Sequence, residues 1–584
     1  MMEHDWQSPY DHLFETNYIP SPVQIKEIKE LVRRKEEELR ILNKKIVQLQ
    51  VERDKLQSFV DGHHALLSPA RRLPRDVLAE IFLQCLPTVQ LPVCSATDAP
   101  LLLTTICRSW REIAVTTPRL WRAIHFVIPN LAGYYTLDDN FRSFFAAQKE
   151  GLELWLNRSC SVLLTISLYL HLDTTRPRAV KDELQTMYIQ LLDSLLCHST
   201  RWEALYFKGL PASILSALRD AEVPRLHTFL LENSEHSFMV PPTLLEAPSP
   251  IFSAIARAPS LHALHIRYSQ VDFFTLPVRW YNLTDLTLYH GSITSISTPT
   301  ITNPTEILHR LAQTCPSLCT LKLSLDVLPG NLQDVSFETQ VWPQLSRLSI
   351  SFHHMRIHSR ITFPVLKNMF NTITTPTLSH LALIVPEHLG PDVPLMPEAP
   401  FLDMLIRSKC HLTSLDLDLR MTDKALIDCL QCMPSLTAFQ LTDGQQPYGH
   451  YQGADEDVLP ETFQTTLSDT LFRVLTPTTS STNDVLCSKL ETVSLRHCAL
   501  SHADDLIDFV LARSGQNDTA KLKSFKVVFR TGRFRRVVLP PDILAKGQSL
   551  MEGSNIDIAW HSLPKRQLLR SGITIGMPDS ITEY

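Results

Sequence analysis

The sequence predicts an α/β protein: an N-terminal coiled-coil helix, a small helical module, and then a solenoid of strand-plus-helix units with a parallel strand face. Three observations carry this expectation. Apolar residues recur at heptad spacing across residues 22–61, two helical patterns fill 68–126, and a strand pattern of the form LxxLxL recurs ten times between Leu226 and Val527.

The composition of the 584 residues, 44% hydrophobic and 20% charged, is that of a soluble globular protein. With 39 prolines against 16 glycines, segments end at proline more often than at glycine caps. A net charge of -6 lacks the concentrated positive field that nucleic-acid binding needs, so protein partners are expected and nucleic acid is not. The one basic cluster, Arg530, Arg533, Arg535 and Arg536, reads as a solvated strand edge or turn. The 12 cysteines are scattered, the first residues MMEHDWQSPY carry no apolar core, and no run reaches about 18 apolar residues. These features predict a reduced cytoplasmic and/or nuclear protein with no membrane association.

Residues 1–21 are polar and read as a flexible leader. From Pro22 a heptad places Ile25, Val32, Leu39, Ile46, Arg53 and Val60 at a, and Ile28, Lys35, Leu42, Leu49 and Leu56 at d. Asp61-Gly62 and Pro69 are expected to end this helix. The seam has two readings, self-association or a partner helix on one side, and a helix folded back on its own chain or a single charged helix on the other. Lys35 and Arg53 within it weaken a dimer.

Residues 68–126 contain RRLPRDVLAEIFLQCLP and, after a polar connector, PLLLTTICRSWREIAVTTPRLWRAIHF. Val77, Leu78, Ile81, Phe82 and Cys85 share one helix face behind Pro74. A second helix is predicted, capped by Asp98 and opened by Pro100, with Leu103, Ile106, Trp110 and Ile113 on one side. Thr117-Pro118 then starts a turn carrying Leu120 and Trp121. LPRDVLAEIF, CRSWREIA and TPRLW, in that order, resemble the F-box-like domain common in large fungal families. The resemblance covers roughly a tenth of the chain. It implies docking on a Skp-family adaptor, and through it on a cullin-RING ubiquitin ligase, by Leu73, Pro74, Ile81, Phe82 and Trp110. The connector from Pro87 to Thr97 is longer and more polar than compact F-boxes use.

Beyond a helical stretch over Phe141 to Leu156, Val162, Leu164, Ile166 and Leu168 alternate as a buried strand does. The LxxLxL unit then begins at Leu226, Leu261, Leu283, Leu318, Leu345, Leu378, Leu412, Leu436, Leu490 and Leu522. Successive starts lie as little as 22 residues apart (Leu261 to Leu283) and as much as 54 (Leu436 to Leu490). Helical segments over Ile251 to Ala258, Ile307 to Cys315, Phe401 to Lys409 and Ala425 to Met433 fill the gaps. Each unit has an apolar face it cannot bury alone, so neighbours stack. The pattern resembles an irregular leucine-rich-repeat solenoid over 140–545, with degenerate repeats: of the positions where such repeats place Asn or Cys, only Cys498 conforms. An ordinary α/β domain with a parallel sheet is the alternative. Residues 443–484 read as an exposed insertion loop and 546–584 as a C-terminal cap and tail.

No GxSxG, GxxxxGK, GxGxxG or HExxH pattern is present, and Cys429 and Cys432 have ligand spacing without a second pair. No enzyme activity, metal or cofactor is expected. Specificity is expected in side chains flanking the strand leucines: His265, Arg267, Thr287, Tyr289, Lys322, Ser324, Asp416, Asp418, Ser494 and Arg496, whose mixed signs suit a protein substrate. The expected function is the substrate-recognition adaptor of a Skp-cullin-F-box type E3 ubiquitin ligase. The alternative is a non-ligase scaffold in which the F-box-like helices cap the repeats.

Overall fold

The computed structural model describes residues 8–67, 69–128, 137, 139–170, 177–210, 218, 221–232, 258–267, 274, 276, 278–289, 304–326, 338–353, 359–384, 398–418, 421–442, 469–476, 486–498, 503–514, 520–529 and 557–561. The chain divides into two compact units, Met1–Ile81 and Phe82–Tyr584.

The first unit is dominated by helix α1 (Pro22–Leu67). Its start is a capping box: Ser21 Oγ accepts from Gln24 N at 3.4 Å while Gln24 Oε1 accepts from Ser21 N at 2.9 Å. Pro22 takes the first helical position, where its missing N–H leaves nothing unsatisfied. The leader, over residues 8–21, is tied back onto this end. Tyr10 Oη donates to Glu27 at 2.7 Å and Tyr18 Oη donates to Gln24 at 3.0 Å. At the other end the helix continues through Gly62 to Leu67 rather than stopping at Asp61. A single glycine in a helix interior costs only about 1 kcal/mol, and nothing crowds Gly62 to force a turn.

Helix α2 (Arg75–Gln84) follows Pro74 and buries Leu78 and Phe82. The expected second helix is two: α3 (Leu103–Ile106) and α4 (Arg108–Val115), separated by Cys107 in extended conformation (φ -157°, ψ 169°). The break has local causes. Thr104 and Thr105 hydroxyls donate to Leu101 O and Leu102 O, both at 2.7 Å, while Cys107 Sγ accepts from Trp110 N and caps the new helix. Arg111 Nε donates to Thr104 O at 2.7 Å and satisfies one carbonyl at the end of α3. Ile106 is consequently exposed, while Leu103 and Ile113 remain buried.

From Ala123 onward the second unit is an all-parallel, 14-stranded sheet with interleaved helices, a solenoid-like arrangement. Its strands are β1 (Ala123–Val127), β2 (Leu164–Tyr169), β3 (Trp202–Lys208), β4 (Thr228–Glu232), β5 (Ala263–Arg267), β6 (Asp285–Tyr289), β7 (Thr320–Asp326), β9 (Arg347–His353), β11 (His380–Ile384), β12 (Ser414–Asp418), β13 (Ala438–Thr442), β14 (Thr492–Cys498), β15 (Ser524–Phe529) and β16 (Asp557–His561). They are hydrogen-bonded in sequence order, which is what repeat stacking requires. β8 (Gln340–Val341) and β10 (Ile373–Thr374) form a separate parallel pair. The intervening helices are α5 (Asp139–Arg158), α6 (Arg178–Leu196), α7 (Pro304–Thr314), α8 (Ser359–Thr372), α9 (Glu398–Ser408), α10 (Asp423–Gln431), α11 (Asp469–Leu475) and α12 (Ala503–Ser514). The predicted helix over 251–257 lies outside the described residues.

Every one of the ten LxxLxL units leads into a strand that carries its second and third apolar residues, and the register stacks them. Leu264, Leu286, Leu321, Leu348, Leu381 and Leu415 form one buried row, and Ile266, Leu288, Leu323, Ile350, Leu383 and Leu417 the next. The sheet is longer than expected at both ends, because β1 starts within the 68–126 segment and β16 lies beyond residue 545. Two early units have tryptophan where the others have leucine: Trp121-Ile124-Phe126 and Trp202-Leu205-Phe207, all buried.

The connector has a structural use. Val93 bridges in parallel to His125, whose N–H donates to Pro92 O at 2.7 Å, so the connector covers part of the free edge of β1. Cys94 Sγ lies 3.1 Å from where a β carbon on Gly151 of α5 would stand, a close approach that glycine permits. Trp121 donates Nε1–H to Ala114 O at 2.8 Å and meets Trp155 edge-on, ring centroids 4.9 Å apart. Helices α3 and α4 therefore belong to one core with the start of the sheet.

Within 443–484, Leu471, Phe472 and Leu475 put one face of α11 into the core, so this part of the expected exposed loop is a buried helix. The remainder, 443–468 and 477–484, lies outside the described residues.

Candidate interaction surfaces

Two surfaces correspond to the expectations drawn from the sequence. On α2 the apolar positions divide by helix geometry: Leu78 and Phe82, four residues apart, point inward, while Val77 and Ile81, also four apart, stay 40% and 42% exposed. Leu73 is 38% exposed and Pro74 is exposed just before the helix. Phe82 is fully buried and stacks at 4.9 Å, tilted, on the half-buried Trp110, so this pair serves the core of the second unit. Of the five residues expected to touch an adaptor, Leu73, Pro74 and Ile81 are accessible; Phe82 is enclosed and Trp110 is half covered.

The second surface is the face of the sheet opposite the leucine rows. Its side chains also run in rows. The central row contains Tyr206, His265, Thr287, Lys322, Ser349, Asp416, Gln440 and Ser494, and the next contains Tyr169, Lys208, Glu232, Arg267, Tyr289, Ser324, Asp418 and Arg496. All ten sequence-predicted face residues lie in these two rows.

Across β2 to β6 the second row is continuous. Lys208 Nζ stands 5.7 Å from the Tyr169 ring centre and 3.2 Å from Glu232 Oε2; Arg267 Nη1 is 2.9 Å from Glu232 Oε1, and its guanidinium lies 4.6 Å over the Tyr289 ring. Arg267 and Tyr289 are among the expected face residues. Tyr169, Lys208 and Glu232 complete the chain, and each sits immediately after the last apolar residue of its strand pattern, the position that Arg267 and Tyr289 occupy in theirs.

In the central row His265 Nδ1 lies 2.8 Å from Thr287 Oγ1, and burial pushes its imidazole down to about 4, with Lys322 adding to the shift and Asp285 opposing it. Tyr206 is buried and its phenol is pushed up, chiefly by burial and then by Glu203. Farther along, Asp416 is raised by burial against the opposing pull of Arg496, and its Oδ2 accepts from Gln440 Nε2 at 2.9 Å. This stretch is polar and mixed in sign.

Cys429 and Cys432 are thiols on one helix end. Burial pushes Cys429 up to about 12, and Cys432 Sγ lies 3.6 Å from Asp428 O. Among the described residues no group of three His, Cys, Asp or Glu side chains has the spacing to hold a metal ion, and no helix is long and apolar enough to cross a membrane. No protein-family model matches this chain, and no curated protein matches it either.

Proposed function

We propose that the protein is the substrate-recognition adaptor of a Skp-cullin-F-box type ubiquitin ligase. In this reading Leu73, Pro74 and Ile81 contact a Skp-family adaptor, and the polar face of the leucine-rich repeats holds a protein substrate. The observation that carries the reading is the split on α2. Its inward residues are enclosed, yet Val77 and Ile81 remain in water at positions belonging to the F-box-like motif, as an apolar docking face requires. The protein carries out no bond chemistry itself; holding a substrate beside a ligase raises its local concentration there.

The test is co-purification of the full chain with a Skp-family adaptor, beside Ile81→Glu and the paired Leu73→Ala, Pro74→Ala variant. These side chains are exposed, so the variants are expected to fold and to lose the adaptor. Absence of adaptor binding by the unaltered chain, where a control F-box protein binds, sinks the proposal.

A second reading has its own support. Val93 on the edge of β1 and Trp121 against Trp155 tie the segment from Phe82 to Trp121 to the repeats as a cap. A scaffold that uses the module only in this way binds partners through the sheet face and ignores the adaptor.

A further inference from the structure

Helix α1 is about 69 Å long at 1.5 Å per residue. Its seam is in water. Val32, Leu39, Leu42, Ile46, Leu49, Leu56 and Val60 are between 44% and 68% exposed. The two charged seam residues decide what fits against it.

We propose that α1 pairs with α1 of a second copy of this chain as a parallel, in-register, two-stranded coiled coil, in which Lys35 faces Glu36 and Arg53 faces Glu52 of the other copy. The apolar choices favour two parallel strands: Ile25, Val32, Ile46 and Val60 are β-branched a residues, and Leu42, Leu49 and Leu56 are leucines at d.

The charges favour the same partner. In a parallel pair a d side chain packs beside the e residue of the opposite helix, and an a side chain beside its g residue. Lys35 is at d and the next residue, Glu36, is at e; Arg53 is at a and the preceding residue, Glu52, is at g. Each cation in the seam therefore meets a carboxylate of the partner at the rim of its own layer. Among the described residues neither Glu36 nor Glu52 has an ion-pair partner, whereas Lys35 holds Glu38 and Arg53 holds Asp54 within the single helix. The in-register pair sets Lys35 against Lys35 and Arg53 against Arg53, and an antiparallel pair centred to match the same apolar residues sets Lys35 opposite Arg53, so either arrangement holds two cations in each charged layer. The seam lysine and arginine thus weaken either dimer, and the parallel choice rests on the β-branched a residues, the leucines at d, and Glu36 and Glu52 at the rims of the two charged layers.

The experiment uses the full chain. Light scattering across a dilution series is expected to give twice the 66.4 kDa chain mass at high concentration; a chain monomeric at all concentrations overturns the proposal. Lys35→Glu is expected to weaken the dimer about tenfold or more, by setting a second carboxylate beside Glu36 of the other copy. Glu36→Lys is expected to do the same, and the double exchange to restore affinity to within about threefold. Adjacent positions on one helix do not face each other, so recovery reports the contact between copies. In the antiparallel arrangement Lys35→Glu meets Arg53 and tightens the dimer, and that result refutes the parallel pairing. Helix content by circular dichroism, unchanged in all variants, separates lost association from a lost helix.

Discussion

Arg267 reaches across one strand spacing to place Nη1 2.9 Å from Glu232 Oε1, and Glu232 takes Lys208 from the opposite side at 3.2 Å. Glu232 is therefore the one anion between two cations, and its removal leaves them facing each other. Arg267 is half in water, so the loss is modest. Glu232→Gln is expected to lower unfolding free energy by about 0.5–1 kcal/mol in urea titrations at low salt, and by less at 1 M salt. An effect independent of salt counts against the electrostatic account.

Gly209 closes β3 with φ +75°, and its N–H donates to Glu232 O at 2.7 Å. A β carbon there would stand 2.0 Å from Leu170 O, a backbone atom that cannot swing aside. Gly209→Ala is expected to cost about 1–3 kcal/mol, from the left-handed conformation and the clash together. Gly62→Ala is the control, expected to stabilise α1 by up to about 1 kcal/mol, because that site is open and helical. Thermal melts of both variants give the comparison.

The repeat strands are legible because their signal is local: two apolar residues one position apart, stacked at the same register in every unit. The polar row after each third apolar residue follows from the same pattern; Lys208 escapes it because Trp202 stands where other units have leucine and hides β3, whereas Glu232, directly after Leu231 of the first unit, is legible by the same rule. The break at Cys107 is not legible by periodicity. It depends on Arg111 reaching back seven residues to Thr104 O, and on threonine hydroxyls bonding carbonyls that a continuous helix would use. The exposure of Ile81 beside the enclosed Phe82 likewise needs the surrounding structure, because the two adjacent residues are equally apolar in sequence.

Arg513 of α12 is 1% exposed and has no carboxylate beside it among the described residues. It serves main-chain carbonyls instead: Nη2 donates to Leu475 O at 2.8 Å and to Leu486 O at 3.0 Å, and Nη1 donates to Cys487 O at 3.1 Å. Burial lowers the guanidinium to about 10, which leaves it charged at neutral pH. These bonds join the end of α11 to the residues that lead into β14. Arg513→Met matches the stem's bulk but strands two buried carbonyls and the part-buried Leu486 O, and is expected to cost about 3 kcal/mol or more. Arg513→Lys is expected to recover only part of this, because an ammonium cannot span the same fork. Denaturant midpoints for the two variants are the check, and a neutral Arg513→Met removes the structural role.

Stability is expected to depend on pH through His265. Its folded pKa, about 4, lies below the ordinary 6.5 because burial disfavours the imidazolium, with Lys322 in the same direction and Asp285 opposed. The unfolded chain therefore takes up this proton first. The contribution of neutral His265 is full above about pH 6.5 and is lost as pH falls toward 4. His125 and His198 are also depressed by burial, Arg201 adding to the second, so they act with the same sign. Melting temperatures measured from pH 7.5 to pH 4 should fall through this window. His265→Gln, which keeps a polar partner for Thr287 and cannot titrate, should flatten part of the decline while leaving the neutral-pH value within about 1 kcal/mol. A decline equally steep in the variant would show that His265 does not carry its share.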